Sequence, residues 1–93
     1  MEYLHKVLDL HEGDVVEVTL DAPANVMLLT PENFAKYKER VFYRYHGGYA
    51  ETSPVRLATP HPGEWHLVVN LAGPGRVSAG FRVLRDQETV EAS

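Results

Sequence analysis

Five histidines, His5, His11, His46, His61 and His66, are the residues of this chain best suited to chemistry, because imidazole titrates near neutrality and ligates metals. Their spacing does not build on that. No His-x-His pair occurs, and no glutamate follows at the distance a cupin-like metal site uses. Only His46 and His66 are placed so that a fold could bring them together. Solvated or singly hydrogen-bonded imidazoles are the simpler expectation, so neither a metal nor a cofactor is expected. Acyl transfer fares no better. Ser53, Ser78 and Ser93 lack a Gly-x-Ser-x-Gly elbow, and Ser53 precedes Pro54 in an edge-like turn. Phosphate cradles fail too: Gly73-Pro74-Gly75 leads into a strand, and Gly47-Gly48 is not followed by Lys-Ser/Thr. No enzyme activity is expected.

The segment Arg40-Val41-Phe42-Tyr43-Arg44-Tyr45-His46-Gly47-Gly48-Tyr49 is different. It gathers three tyrosines, two arginines, a histidine and two glycines into ten residues. Tyrosine offers apolar area with a polar tip, arginine offers a forked donor, and a glycine pair admits close backbone approach. Alternation puts Phe42, Arg44 and His46 on one face and Val41, Tyr43 and Tyr45 on the other. Arg44, His46, Gly47, Gly48 and Tyr49 are therefore the candidate contact residues, for a small polar or anionic ligand or a protein partner. The competing assignment puts Tyr43 and Tyr45 in the core beside a helix and makes Gly47-Gly48 a turn or bulge. Trp65 shares a strand face with Leu67, Val69 and Leu71, which favours core packing over a sugar platform. His66 and Glu64 fall on the opposite face of that strand, where exposure is expected. Asn25 and Asn70 sit in or beside strands, each able to satisfy a backbone group or contact a ligand.

The frame holding these residues is small. Ninety-three residues, 44% hydrophobic and 24% charged, make one domain of ordinary globular balance. Such a chain buries only about 60–65% of its unfolded surface. With no cysteine, disulfides, thiol catalysis and cysteine-ligated metals are excluded. A net charge of -4 gives no electrostatic case for nucleic acid. No apolar stretch approaches the roughly 18 residues of a membrane span. The start lacks the basic and apolar regions of a secretory signal, so a cytoplasmic location without membrane association is expected.

Period-two patterning dominates. Leu4, Lys6, Leu8 and Leu10 share a parity, Gly13 supplies a positive-φ turn, and Val16, Val18 and Leu20 point inward opposite Glu17 and Thr19. Asn25 to Leu29 is apolar on both parities, as in a central strand covered on both sides. Thr30 as cap, Pro31 at the first turn and Glu32 at the positive end of the dipole predict one helix over 31–40, burying Phe34 and Tyr37. Strands are expected again over Val41–His46, Val55–Ala58, Glu64–Leu71 and Arg76–Leu84, the last placing Val77, Ala79, Phe81 and Val83 inward. Ala72-Gly73-Pro74-Gly75 reads as a turn. The predicted core is Val16, Val18, Leu20, Leu28, Trp65, Leu67, Val69, Phe81 and Val83. Seven or eight short strands and one helix predict a mainly-β, antiparallel, jelly-roll-like sandwich over 1–85, with a polar tail over 86–93.

Six segments arrive in order: Gly13 to Leu20 (GDVVEVTL), Ala24 to Leu29 (ANVMLL), Asn33 to Tyr37 (NFAKY), Tyr43 to Gly48 (YRYHGG), Ser53 to Leu57 (SPVRL) and Gly63 to Leu71 (GEWHLVVNL). Together they resemble a small bacterial family, domain of unknown function eighteen-eighty-three, over about Tyr3 to Leu84. The resemblance implies a small all-β sandwich, found alone or attached to TIR-type domains, with no established activity and no catalytic residues to carry over. The expectation is a non-catalytic bacterial binding or sensing module. The alternative is a structural subunit forming homo-oligomers through a sheet edge.

Overall fold

A computed structural model describes residues 3–71, 75 and 77–85. Seven strands and one helix follow in the order β1 (Leu4–Leu10), β2 (Val15–Leu20), β3 (Ala24–Leu29), α1 (Pro31–Glu39), β4 (His46–Ala50), β5 (Val55–Ala58), β6 (Gly63–Asn70) and β7 (Ala79–Leu84). They form two antiparallel sheets, β1-β6-β3-β4 and β5-β2-β7, packed as a sandwich. The mainly-β expectation, with its single helix, holds. The tail over 86–93 and three of the four residues expected to turn at Ala72–Gly75 lie outside the described residues.

The two sheets bury themselves differently, and the strand compositions follow. The inner face of the four-stranded sheet contributes Ala24, Val26, Leu28, Trp65, Leu67 and Val69 to a core shared with Val16 and Val18 of the opposing sheet. Its outer face is covered by α1, which packs Phe34 on Met27, Leu29 and Val68. The central strands β3 and β6 thus have both faces buried, which is why neither alternates. Among the described residues nothing covers the outer face of the three-stranded sheet in this way. There the central β2 places Glu17 opposite Arg56 of β5 and Arg82 of β7. Arg56 Nη2 reaches Glu17 Oε2 at 2.9 Å and Arg82 Nε reaches Oε1 at 2.6 Å. Glu17 was expected to face water, and the two arginine stems bury it instead. Its hydrogen bond from Arg82 foremost, and that from Arg56, hold the carboxyl below its ordinary value of 4.5.

Local signals explain the element ends. Gly13 takes φ 88 in the β1–β2 turn, as expected. Thr30 Oγ1 accepts from the Asn33 N–H at 3.3 Å, Pro31 opens the helix, and Glu32 sits in its first turn. Arg40 ends it in the left-handed region at φ 63, and the Val41 N–H reaches back to the Lys36 carbonyl at 3.1 Å.

The strand expected at Val41–His46 does not form. The Arg44 N–H donates to Asn33 Oδ1 at 3.0 Å, and Tyr43 packs edge-on against Tyr37 with centroids 5.3 Å apart. These contacts fold residues 41–45 back onto the helix, and pairing with β3 begins only at His46. Gly47 and Gly48, which the competing assignment made a turn or bulge, lie within β4. Phe81 also departs from expectation. It keeps the inward register, opposite Val18, but on an edge strand it stays 37% exposed. Leu20 and Val83 are half-buried against the core.

Candidate functional site

The 41–49 segment is an exposed ridge running into a sheet edge. β4 is the last strand of its sheet, with β3 on one side only. Its register pairs His46 with Leu28, Gly48 with Val26 and Tyr49 with Asn25. His46 therefore sits on the inward parity, its ring edge-on to Trp65 at 5.5 Å, and Tyr49 sits on the outward parity. The two ends of the candidate group occupy opposite sides of the edge rather than one patch. Gly47 is required by the fold itself. At φ 117, a Cβ there would stand 2.2 Å from the Val26 carbonyl oxygen. Gly48 has open space in the corresponding position. Arg44 is exposed and is anchored through its backbone, as described above. Phe42, Tyr45 and Tyr49 are exposed beside it, whereas Tyr43 is half-buried against the helix.

His46 and His66, the pair whose convergence spacing left open, lie on opposite faces of the four-stranded sheet, because His66 aligns with Leu29 and His46 with Leu28. His66 instead meets His5. Adjacent strands β1 and β6 carry them on the outer face, and His66 is buried, not exposed as expected. The two rings are nearly coplanar, 5° apart, with His5 Nε2 and His66 Nδ1 at 2.8 Å. His66 Nε2 lies 2.8 Å from Glu64 Oε2. A carboxylate only accepts, so with both imidazoles neutral His66 Nε2–H donates to Glu64, its Nδ1 accepts from His5 Nε2–H, and His5 Nδ1 has no hydrogen-bond partner among the described residues. Phe34 of α1 stacks across both imidazoles at 4.2 and 4.5 Å, and Lys38 Nζ caps the Phe34 ring at 4.8 Å.

His5 is exposed as a residue, yet its ring is partly desolvated against these neighbours. That desolvation first, then His66 and Lys38, holds its imidazole below the ordinary 6.5. The chain can accept one proton at His5 Nδ1 and spread the charge toward Glu64. Glu64 and His66 lie two apart on one strand and share a face by alternation, but His5 joins them only through the β1–β6 register. Asn70 and Asn25 complete this face: Asn25 Nδ2 donates to Asn70 Oδ1 at 2.9 Å, and Asn70 Nδ2 to the Tyr37 hydroxyl at 2.8 Å. Burial, above all, raises the Tyr37 hydroxyl above 10.0.

The remaining polar groups serve the frame. Asp14 is buried and accepts from the His11 N–H at 2.9 Å and from Arg85 Nη1 at 2.6 Å. Ser53 Oγ accepts from the Leu20 N–H at 2.9 Å, fixing the chain before Pro54. Among the described residues no group of three or more His, Cys, Asp or Glu side chains is placed to hold a metal ion. No helix among them is long and apolar enough to cross a membrane.

This is a small two-sheet β-sandwich domain with one helix-covered face, a carboxylate–histidine–histidine chain centred on the buried His66, and an aromatic ridge at one sheet edge. The chain belongs to the family described as domain of unknown function (DUF1883), whose model matches residues 1–87. No curated protein and no solved structure matches it.

Proposed function

We propose that the domain is a non-catalytic recognition module of the bacterial cytoplasm that takes an extended stretch of a protein partner along β4. One observation carries this reading. Of the seven large apolar side chains that stand exposed among the described residues, four (Val41, Phe42, Tyr45 and Tyr49) fall within nine residues, and Phe42 is 84% exposed. An isolated exposed residue needs no explanation, but a cluster of aromatics around an arginine has the composition of an interaction hot spot. The cluster adjoins an edge strand whose outward backbone groups have no strand partner among the described residues, the arrangement used in β-strand addition. In a longer chain such a module would sit beside an effector, such as the TIR-type domains that the family resemblance implies. The nested pairings β2–β7 and β3–β6 favour describing its frame as a reduced jelly roll.

The test is a selection of displayed random peptides against the wild-type domain, followed by affinity measurement on Phe42→Asp. Selected peptides should lose at least about tenfold in affinity on that variant, with its melting temperature unchanged. Equal binding to both proteins would refute the reading. Sedimentation of the free domain separates the structural alternative: a wild-type dimer that Phe42→Asp dissociates would make β4 an assembly edge instead.

A further inference from the structure

On the opposite side of the sandwich from β4 and β5, the edge strands β1 and β7 part and leave a cavity of about 330 Å³. This is at the lower end of the range of small-molecule sites. Val18, Leu67 and Val69 line it from the core, with Leu4 of β1 and Ala79 and Phe81 of β7 at its sides. Leu4 and Phe81 are both exposed large apolar residues, so the sides of the cleft offer unpaired apolar surface. Lys6 also lines it and is the one fully charged residue there. Its register explains the position: Leu4, Lys6 and Leu8 pair with Val69, Leu67 and Trp65, so Lys6 stands on the inward parity between two leucines. Among the described residues no acidic side chain lines the cavity, although the protein carries a net charge of -4. Among the described residues no carboxylate lies within ion-pair distance of the Lys6 amine.

We infer that this cleft binds an amphipathic anion, a medium-length unbranched alkyl chain bearing a carboxylate, with the chain against Val18, Leu67, Val69 and Phe81 and the head group on the Lys6 ammonium. The chemistry follows from the lining. An apolar slot takes up methylene surface, and an ammonium on a flexible stem at its mouth pairs with a single anionic head. An inward-pointing lysine on an edge strand has one competing explanation, protection of that edge against pairing with another chain. The two explanations differ in what happens when a ligand is supplied.

The direct test titrates decanoate, below its aggregation concentration, into the isotopically labelled protein while backbone amide shifts are followed. Saturable shifts are expected at Leu4, Lys6, Ala79 and Phe81, with decyltrimethylammonium and butyrate failing to reproduce them. Lys6→Gln should weaken decanoate binding about tenfold and leave the weaker binding of decanol unchanged. Lys6 is exposed, so this variant folds. Ala79→Met, which fills the cleft at its side, should block both ligands. Three results would overturn the proposal: no saturable binding up to millimolar concentration, shifts that map away from β1 and β7, or equal affinity for the cationic amphiphile. If instead Lys6→Gln causes the free protein to self-associate without changing decanoate binding, Lys6 is an edge guard and the proposal also fails.

Discussion

The imidazole of His5 is where proton chemistry touches the stability of this domain. Its ring completes the chain to His66 and Glu64 and lies under Phe34, and these contacts favour the neutral form. Because its folded value lies below the ordinary 6.5, the unfolded chain binds more protons in that region. Stability from this group is therefore fully present above pH 6.5 and is lost as the pH falls toward the folded value. Urea unfolding between about pH 7 and 5 should show a steeper loss for wild type than for His5→Gln, and parallel curves would contradict the assigned chain. Gly47 gives a second residue-scale prediction. Both Gly47 and Gly48 take a positive φ that side chains rarely adopt, but a methyl group at Gly47 also meets the Val26 carbonyl, whereas at Gly48, φ 150, it meets nothing. Gly47→Ala should cost more than about 2 kcal/mol and Gly48→Ala clearly less, measured by chemical unfolding. Equal costs would mean that β4 is not held in this register.

Among the elements, α1 shows how far local signals reach. Its cap, first-turn proline and buried Phe34 were legible because each acts within a few residues. Its far end was legible only to about a residue, and Arg40 in the left-handed region is a local cost that glycine would relieve. Arg40→Gly should raise stability by about 1 kcal/mol, and a fall in melting temperature would show that the helix ends differently. The strand that follows was misplaced for a non-local reason. Val41 to His46 has strand composition, but Asn33 and Tyr37, reaching from the helix, claim Arg44 and Tyr43 first. Strand β2 and the two-sided β3 were readable because burial imposes their patterns directly. Glu17 was misread because the arginines that cover it come from strands 39 and 65 residues away.

For the molecule as a whole, the same contrast separates fold from site. Alternation and apolar runs are one-dimensional signals, so the sandwich, its core and Trp65 could be read directly. Trp65 is fully buried, donates to the His61 carbonyl at 3.1 Å and touches the rings of His46 and His61. Trp65→Ala should cost about 3–5 kcal/mol, a large share of a small domain's stability, and an unchanged melting temperature would place the side chain at the surface. The histidine chain and the β1–β7 cleft need the pairing of distant strands, so spacing did not show them. The aromatic ridge was visible as composition, but its division between two sides of an edge was not.

The central claim is that a partner strand adds to β4, and the most direct measurement is of contacts between the two backbones. In a complex of the labelled domain with a selected peptide, intermolecular nuclear Overhauser effects should link peptide amide and α protons to alternate residues of His46–Ala50. Peptide side chains should meanwhile contact Phe42 and Tyr49. Contacts confined to side chains elsewhere, with the β4 amides exchanging with solvent as in the free protein, would contradict the account.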